Sequence, residues 1–303
     1  MGKINVGILG ATGAIGELYS GLLKNHPHFQ LRFLAASERS FGESFEGISV
    51  SSVRDFDLAK NLGVKVLFSG LDTTTALEIE PLWAKEFLVI SSSSAFRNSE
   101  QLILPEINGA QVIGKRHGIF SKSNCTLHPI ILPLQWLKDF GIKHVTITTF
   151  QAVSGAGKKG LGAMEILDNV IPYIHDEEKK IDEELHLLMR EKIPLDITCC
   201  RVPVFDGHLV SLVIEFAKSV SVESIRQRFQ KSSVFHLFEQ QDRPQPRLDR
   251  MVGEGMTVSV GRIRRGEGNR IQMVTLSHNR IRGAAGTGLK IAEIAYGITQ
   301  PGF

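Results

Sequence analysis

The chain has 303 residues, with 35 Lys and Arg against 32 Asp and Glu, for a formal charge of +3. That length holds a sizeable core and favours two domains over one. So mild a charge balance argues against nucleic-acid or membrane-surface partners and leaves small anionic ligands open. Three cysteines (Cys125, Cys199, Cys200), no signal-peptide core and no apolar run of bilayer length set the expectation of a cytoplasmic protein without a disulfide framework.

Ile4 to Leu9 is an apolar run ending in Gly10-Ala11-Thr12-Gly13-Ala14-Ile15-Gly16, after which Leu18, Tyr19, Leu22 and Leu23 recur at helical spacing. Strand, glycine turn and helix in this order let backbone approach a pyrophosphate whose charge sits against the helix N-terminus. A tight turn in an unrelated α/β protein would look the same. The next run, Leu31 to Ala36, is followed by Ser37-Glu38-Arg39-Ser40. Glu38 suits the ribose hydroxyls of NAD, but Arg39 with two serines suits a 2′-phosphate better, because guanidinium matches phosphate oxygens bidentately. NADP is therefore the expected cofactor, against the plainer reading of Arg39 as a loop charge.

Val64 to Ser69 and Phe87 to Ser91 are further short strands separated by a helix over Thr73 to Lys85. Alternation of this kind predicts a parallel, doubly wound sheet. Ser91-Ser92-Ser93-Ser94 then leaves the sheet towards Arg97, a candidate anion binder. Lys122-Ser123-Asn124-Cys125-Thr126-Leu127 follows the strand Gly118 to Ser123 and precedes a helix expected to begin near Thr126, with Pro133 in its interior as a possible kink. A thiol near a helix N-terminus is favoured as thiolate, hence as a nucleophile; free cysteine is equally at home as a small buried hydrophobe.

Beyond Cys125 the pattern turns β-rich, with runs at 144–152, 197–204, 209–216, 256–263 and 270–277 and few helices between, one of them over Val222 to Phe229. This predicts an α+β second domain on a mixed or antiparallel sheet. Gln240 to Arg250, with two prolines and five charges, reads as an exposed loop. Three segments are richer in chemistry than a core needs: Gln151-Ala152-Val153-Ser154-Gly155-Ala156-Gly157, Glu177-Glu178-Lys179-Lys180, and Arg201-Val202-Pro203-Val204-Phe205-Asp206-Gly207-His208. Glu177, Lys180 and Glu184 fall within helical reach of one another. Acidic residues also suit a helix start for purely electrostatic reasons.

Taken together and in order, G-A-T-G-A-I-G at Gly10, E-R-S at Glu38, S-S-A-F-R ending at Arg97, S-N-C-T at Cys125, Q-A-V-S-G-A-G at Gln151, E-E-K-K at Glu177, R-V-P-V-F-D-G-H ending at His208 and R-G-A-A-G near the C-terminus resemble the aspartate-semialdehyde dehydrogenase family. The resemblance runs nearly end to end. It implies a Rossmann-like NADP-binding domain at residues 1–124 with 280–303, and a catalytic and dimerisation domain at residues 125–279. It implies Cys125 as nucleophile, His208 as general acid/base and Gln151 as the residue orienting the intermediate. Asn124 would lie beside the substrate phosphate, Arg201 would pair with the substrate carboxylate, Glu177 with its amino group, and Arg97 with Lys180 would form the phosphate site. Gly10, Thr12, Gly13, Ile15, Arg39 and Ser40 would contact NADP, and no metal is implied.

The implied activity is that of an NADP-dependent phosphorylating aldehyde dehydrogenase. It interconverts L-aspartyl-4-phosphate with L-aspartate-4-semialdehyde and phosphate, on the routes to lysine and diaminopimelate, threonine and methionine. Members are commonly homodimers and sometimes tetramers. The chain departs from the family pattern at Ser91-Ser92, where Asp-Asn is expected, at Leu127, where a small polar residue is usual, and at Leu209, where serine is usual. Two other readings compete. N-acetyl-γ-glutamyl-phosphate reductase shares the fold and thiol chemistry but usually carries G-C-Y at the nucleophile. A non-catalytic NADP-binding regulatory protein should have lost part of the Cys125, Gln151, Arg201, His208 set.

Overall fold

The apolar runs of the first half become strands buried on both faces. In the computed structural model, which describes residues 2–157 and 160–302, eight strands form one sheet. They are Ile4–Leu9 (β1), Phe29–Ala36 (β2), Ser44–Phe45 (β3), Ile48–Ser52 (β4), Val66–Ser69 (β5), Leu88–Ser91 (β6), Leu102–Ile103 (β7) and Gly118–Lys122 (β8), in the order β3-β4-β2-β1-β5-β6-β8-β7. Every pairing is parallel except that of β3 with β4. Side chains alternate between two core layers, as strand geometry requires. Val6, Ile8, Leu34, Phe68 and Ile90 pack with Tyr19 and Leu23 of the helix Ala14–Leu23 and with Ile291 and Ile294 of the helix Gly286–Ala295. Leu9, Phe33, Leu67 and Val89 pack with Ile79 and Trp83 of the helix Thr73–Trp83. Each such fully buried side chain stabilises the fold by about 1.5–3 kcal/mol before entropy is charged against it. The strand order reverses at β1, which lies between β2 and β5, and ligands of open parallel sheets bind at the carboxyl ends of strands at such a point.

The second half builds a different sheet. Ile142–Gln151 (β9), Leu195–Arg201 (β10), His208–Phe216 (β11), Phe235–Leu237 (β12), Val258–Arg265 (β13) and Arg270–Ser277 (β14) are ordered β10-β9-β11-β14-β13-β12. β9 with β10 and β12 with β13 are parallel, and the other pairings are antiparallel, so the sheet is mixed as expected. Val145, Ile147 and Thr149 of β9, with Val210, Leu212 and Ile214 of β11, form buried rows at a period of two. The helices His128–Leu137, Glu177–Met189 and Val222–Gln230 belong to the same half. By compactness the chain divides into one unit up to Ser123 together with Ala284–Gly302, and another over Asn124–Gly283.

Two local expectations are corrected, the start of the helix after Cys125 and the loop at 240–250, while Pro133 lies in a helix interior as expected. The helix after Cys125 starts at His128, not near Thr126, because Leu127 N–H turns back to Asn124 O (3.1 Å) and Leu127 O takes the first helical bonds. Pro133 lies inside that helix, which runs through it to Leu137. Gln240–Arg250 is not simply an exposed loop: it contains the helical turn Pro246–Asp249, and Asp249, only 2% exposed, accepts from Arg243 Nε (2.6 Å) and Gln245 N–H (2.6 Å). Composition marked the charges but not their pairing.

Candidate active site

In the first unit the glycine turn lies where the strand order reverses. Gly10 has φ +73°, and its N–H and that of Ala11 both donate to Ala35 O at the end of β2. Gly16 lies against this turn so closely that a Cβ there would stand 2.2 Å from Gly10 O. The backbone of Gly10 and Gly13 is thus held at the mouth of the helix Ala14–Leu23, on which Ile15 opens the second position. The 3₁₀ turn Glu38–Ser40 follows β2, and the Ser40 and Thr12 hydroxyls are 2.9 Å apart. Gly10, Thr12, Gly13, Ile15 and Ser40 are thereby gathered around one loop pair, with the exposed Arg39 beside them. A backbone turn at a helix start with a free-standing guanidinium nearby fits a dinucleotide carrying an extra phosphate. In the same unit Arg97 donates from Nη2 to Ser92 O (2.9 Å), which ties the serine loop back on itself.

In the second unit the site is made by sheet register. β9 and β10 run parallel and end together, pairing Gln151 with Arg201. β11 runs the other way between β9 and β14, so that it starts where they end; His208 is its first residue, and Leu209 pairs with Phe150. An amide, a guanidinium and an imidazole far apart in sequence thus meet at one sheet edge. Gln151 and His208 continue the buried rows of their strands, so both point inward, and they are 2% and 0% exposed.

Cys125 Sγ lies 3.3 Å from His208 Nε2. On its other side, His208 Nδ1 accepts the Ala152 N–H (3.0 Å), so the proton of the neutral ring sits on Nε2, facing the sulfur. Burial, reinforced by Arg201 and His278 nearby, depresses the imidazole to about 3, so the ring is neutral near pH 7. Arg201 Nη1 donates to Ala152 O (2.8 Å). Burial lowers the affinity of this guanidinium for its proton, while the charges of Cys125 and Glu177 raise it. A cation held in low dielectric beside a thiol favours the thiolate. Arg201 on β10 thus adds a charge of the favourable sign to what a nearby helix N-terminus supplies. Gly283 closes the other side: a Cβ there would stand 2.5 Å from Cys125 Cβ and 2.8 Å from its Cα, so this close approach admits glycine alone without displacing the cysteine.

The helix Glu177–Met189 supplies the remaining contacts. Glu177 Oε1 accepts from Asn124 Nδ2 (3.1 Å), Thr126 Oγ1 (3.1 Å) and Gln151 Nε2 (3.3 Å). Lys180, one turn on, is half-buried and donates to His175 O (3.3 Å). Cys125, His208, Gln151, Asn124, Glu177 and Arg201 are therefore joined through contacts within this unit, and Lys180 shares the helix of Glu177. Leu127 is fully buried beneath the nucleophile turn, whereas Leu209 is half-buried in β11. Sequence reasoning missed Thr126, Gly283 and Asn279, which donates from Nδ2 to Ser154 Oγ (2.8 Å) and accepts Gly207 N–H at Oδ1 (2.8 Å), so tying together the two loops beside His208. Thr126 lies within S-N-C-T and Gly283 within R-G-A-A-G, so both motifs carried a signal without giving these residues a role, whereas Asn279 carried none.

Both halves of the chain match known proteins. The model "Semialdehyde dehydrogenase, NAD binding domain" matches residues 5–115, and "Semialdehyde dehydrogenase, dimerisation domain" matches residues 133–282. Aspartate-semialdehyde dehydrogenase of Archaeoglobus fulgidus is 37% identical over 96% of this chain and 98% of its own length. That of Saccharomyces cerevisiae is 36% identical over 97% and 98%. Among solved structures, the Candida albicans enzyme with NADP superposes with a TM-score of 0.86 at 32% identity, covering 98% of this chain and 100% of that one. Aspartate semialdehyde dehydrogenase II of Vibrio cholerae complexed with ASA gives 0.87 at 27%, covering 98% and 99%. With both halves matched by the family models and relatives above 30% identity spanning nearly the whole chain, this protein belongs to the aspartate-semialdehyde dehydrogenase family.

Proposed function

We propose that the chain interconverts L-aspartyl-4-phosphate with L-aspartate-4-semialdehyde and phosphate, using NADP and a thioester on Cys125. The observation that carries the residue roles is the 3.3 Å approach of Cys125 Sγ to His208 Nε2 at the sheet edge that also bears Gln151 and Arg201. In the aldehyde-forming direction the Cys125 thiolate attacks the acyl carbon, the C–S bond forms, and phosphate leaves with the C–O bonding pair. Covalent catalysis of this kind divides one hard displacement into two easier steps. The cofactor, when bound, supplies hydride to the acyl carbon. The C–S bond then breaks, giving the aldehyde and returning the electron pair to sulfur.

His208 is the acid–base group, and its Nε2 proton faces the sulfur that receives that pair. Gln151 orients the acyl group. Arg201 takes the substrate carboxylate, Glu177 its ammonium, and Arg97 with Lys180 the phosphate, with Asn124 beside it. Gly10, Thr12, Gly13, Ile15, Arg39 and Ser40 bind NADP, the glycine turn taking the pyrophosphate and Arg39 the 2′-phosphate. N-acetyl-γ-glutamyl-phosphate reductase is not favoured, since relatives matching nearly end to end bear the aspartyl name.

The chain acts in amino-acid biosynthesis as a cytoplasmic homodimer. Supporting the dimer are the dimerisation-domain match and the apolar surface of the second unit, where Met164, Leu167, Tyr173 and Phe205 are all more than 60% exposed. Among the described residues no helix is long and apolar enough to cross a membrane. The test is phosphate-dependent NADP reduction by the purified protein with aspartate semialdehyde and, separately, N-acetylglutamate semialdehyde. Turnover with the first alone is expected, and turnover with the second alone overturns the aspartyl assignment. Cys125→Ser should bind NADP unchanged and lose about 10⁴-fold or more in kcat; full activity in that variant removes the thioester.

A further inference from the structure

We infer that Glu184 is a positioning residue for the nucleophile, and that with Glu177 it forms a two-point clamp on Asn124, the residue immediately before Cys125. The two glutamates are seven residues apart, two turns of one helix, and so share a face. Both are buried, at 8% and 2% exposed. Glu184 Oε2 accepts the Asn124 main-chain N–H at 2.7 Å, and Glu177 Oε1 accepts the Asn124 side-chain amide at 3.1 Å.

Asn124 passes the constraint on. Its Oδ1 accepts the Thr126 N–H (2.8 Å), and its carbonyl accepts the Leu127 N–H (3.1 Å). Thr126 Oγ1 returns to Glu177 Oε1. Cys125 is thus flanked by two residues whose polar groups are tied to the same helix, and Gly283 bars movement on a third side.

Packing alone does not account for a carboxylate at position 184. The other buried positions on this helix face, Ile181, Leu185 and Leu188, are apolar, and a buried carboxylate costs free energy unless it receives hydrogen bonds. A negative charge in the neighbourhood of a thiolate also opposes it. What Glu184 supplies is a short, charge-assisted bond to the one main-chain N–H that sets the direction of the chain into Cys125. A nucleophile misplaced by about 1 Å loses on the order of 10²-fold in rate.

The inference rests on the proposed role of Cys125, and its test separates the two. Glu184→Met keeps the volume and removes the acceptor; Glu184→Gln removes the charge and keeps an acceptor. Loss of charge is common to both and should move the pH profile of Cys125 alkylation by iodoacetamide equally in both. Loss of position belongs to Met alone. We expect kcat to fall about 10²-fold in Glu184→Met with KM unchanged, and to stay within a factor of about 3 of wild type in Glu184→Gln. Equal kcat in the two variants overturns the clamp. If the Met variant does not fold, Glu184→Asp carries the same test, because it keeps the charge and withdraws it by one methylene: a fall in kcat is expected, and wild-type kcat overturns the clamp. If Cys125→Ser is active, the site reading itself has failed, whatever Glu184 does.

Discussion

The two units place chemistry at sheet ends in opposite ways. In the first, the candidate cofactor residues come from two contiguous segments, Gly10–Gly16 and Glu38–Ser40, each directly after a strand. In the second, Gln151, Arg201 and His208 end or begin three different strands, and Asn124 with Cys125 and Glu177 arrive from two further segments. Local backbone geometry can make a phosphate cradle, whereas a nucleophile with its acid, its cation and its positioning groups needs side chains from several directions. Burial favours the neutral form of an ionisable group in both units. Glu80 in the first unit is pushed up to about 7 by burial, and His208 in the second down to about 3.

The largest effect that would sharpen this contrast is at His208. Removing the acid–base group in His208→Gln should lower kcat by about 10²–10⁴-fold while leaving NADP affinity unchanged; undiminished kcat would break the assignment. The same variant has a stability signature. His208 is neutral in the fold and would titrate near 6.5 when unfolded, so the unfolded chain binds the extra proton. Stability is therefore lost as pH falls from 6.5 towards 3, by up to about 1.4 kcal/mol per pH unit. Denaturant unfolding of His208→Gln should show a flatter acid limb.

A smaller effect is expected in the first unit. Arg39 is exposed, and a charge-assisted bond to a 2′-phosphate is its only proposed task, so Arg39→Ser should weaken preference for NADP over NAD by about 10–100-fold with kcat little changed. An unchanged cofactor ratio would return Arg39 to the status of a loop charge. The smallest effect concerns stability alone. Glu80 is protonated in the fold and ionised in the unfolded chain between pH 4.5 and about 7, so its contribution declines as pH rises through that window, opposite in sign to His208. Glu80→Gln should flatten unfolding free energy there by up to about 1.4 kcal/mol per pH unit, with catalysis intact.

The first unit's sheet was legible because its strands are short apolar runs with helices between, and this alternation has one common solution. Boundaries moved by a few residues: β2 begins at Phe29, not Leu31, and β5 at Val66, not Val64. The helix after Cys125 starts later than expected because Leu127 spends its N–H on a turn, a choice made by Asn124 and its partners rather than by propensity. The Arg243–Asp249 pairing inside a charged, proline-containing stretch was hidden for a related reason, since composition reports charge but not what it meets.

By itself the sequence determined the class of each half, the glycine turn with its following helix, the thiol at Cys125 and, through the order of its motifs, the family. All of these depend on neighbours in the chain or on residue identity. Only the tertiary structure decided that the ring proton of His208 faces sulfur, that Gly283 rather than any larger residue must back the nucleophile, and that Glu177 and Glu184 reach across more than fifty residues to hold Asn124. Those facts depend on strand register and on the rotation of one helix. Register and rotation are set by how whole apolar faces pack, and no local spacing encodes them.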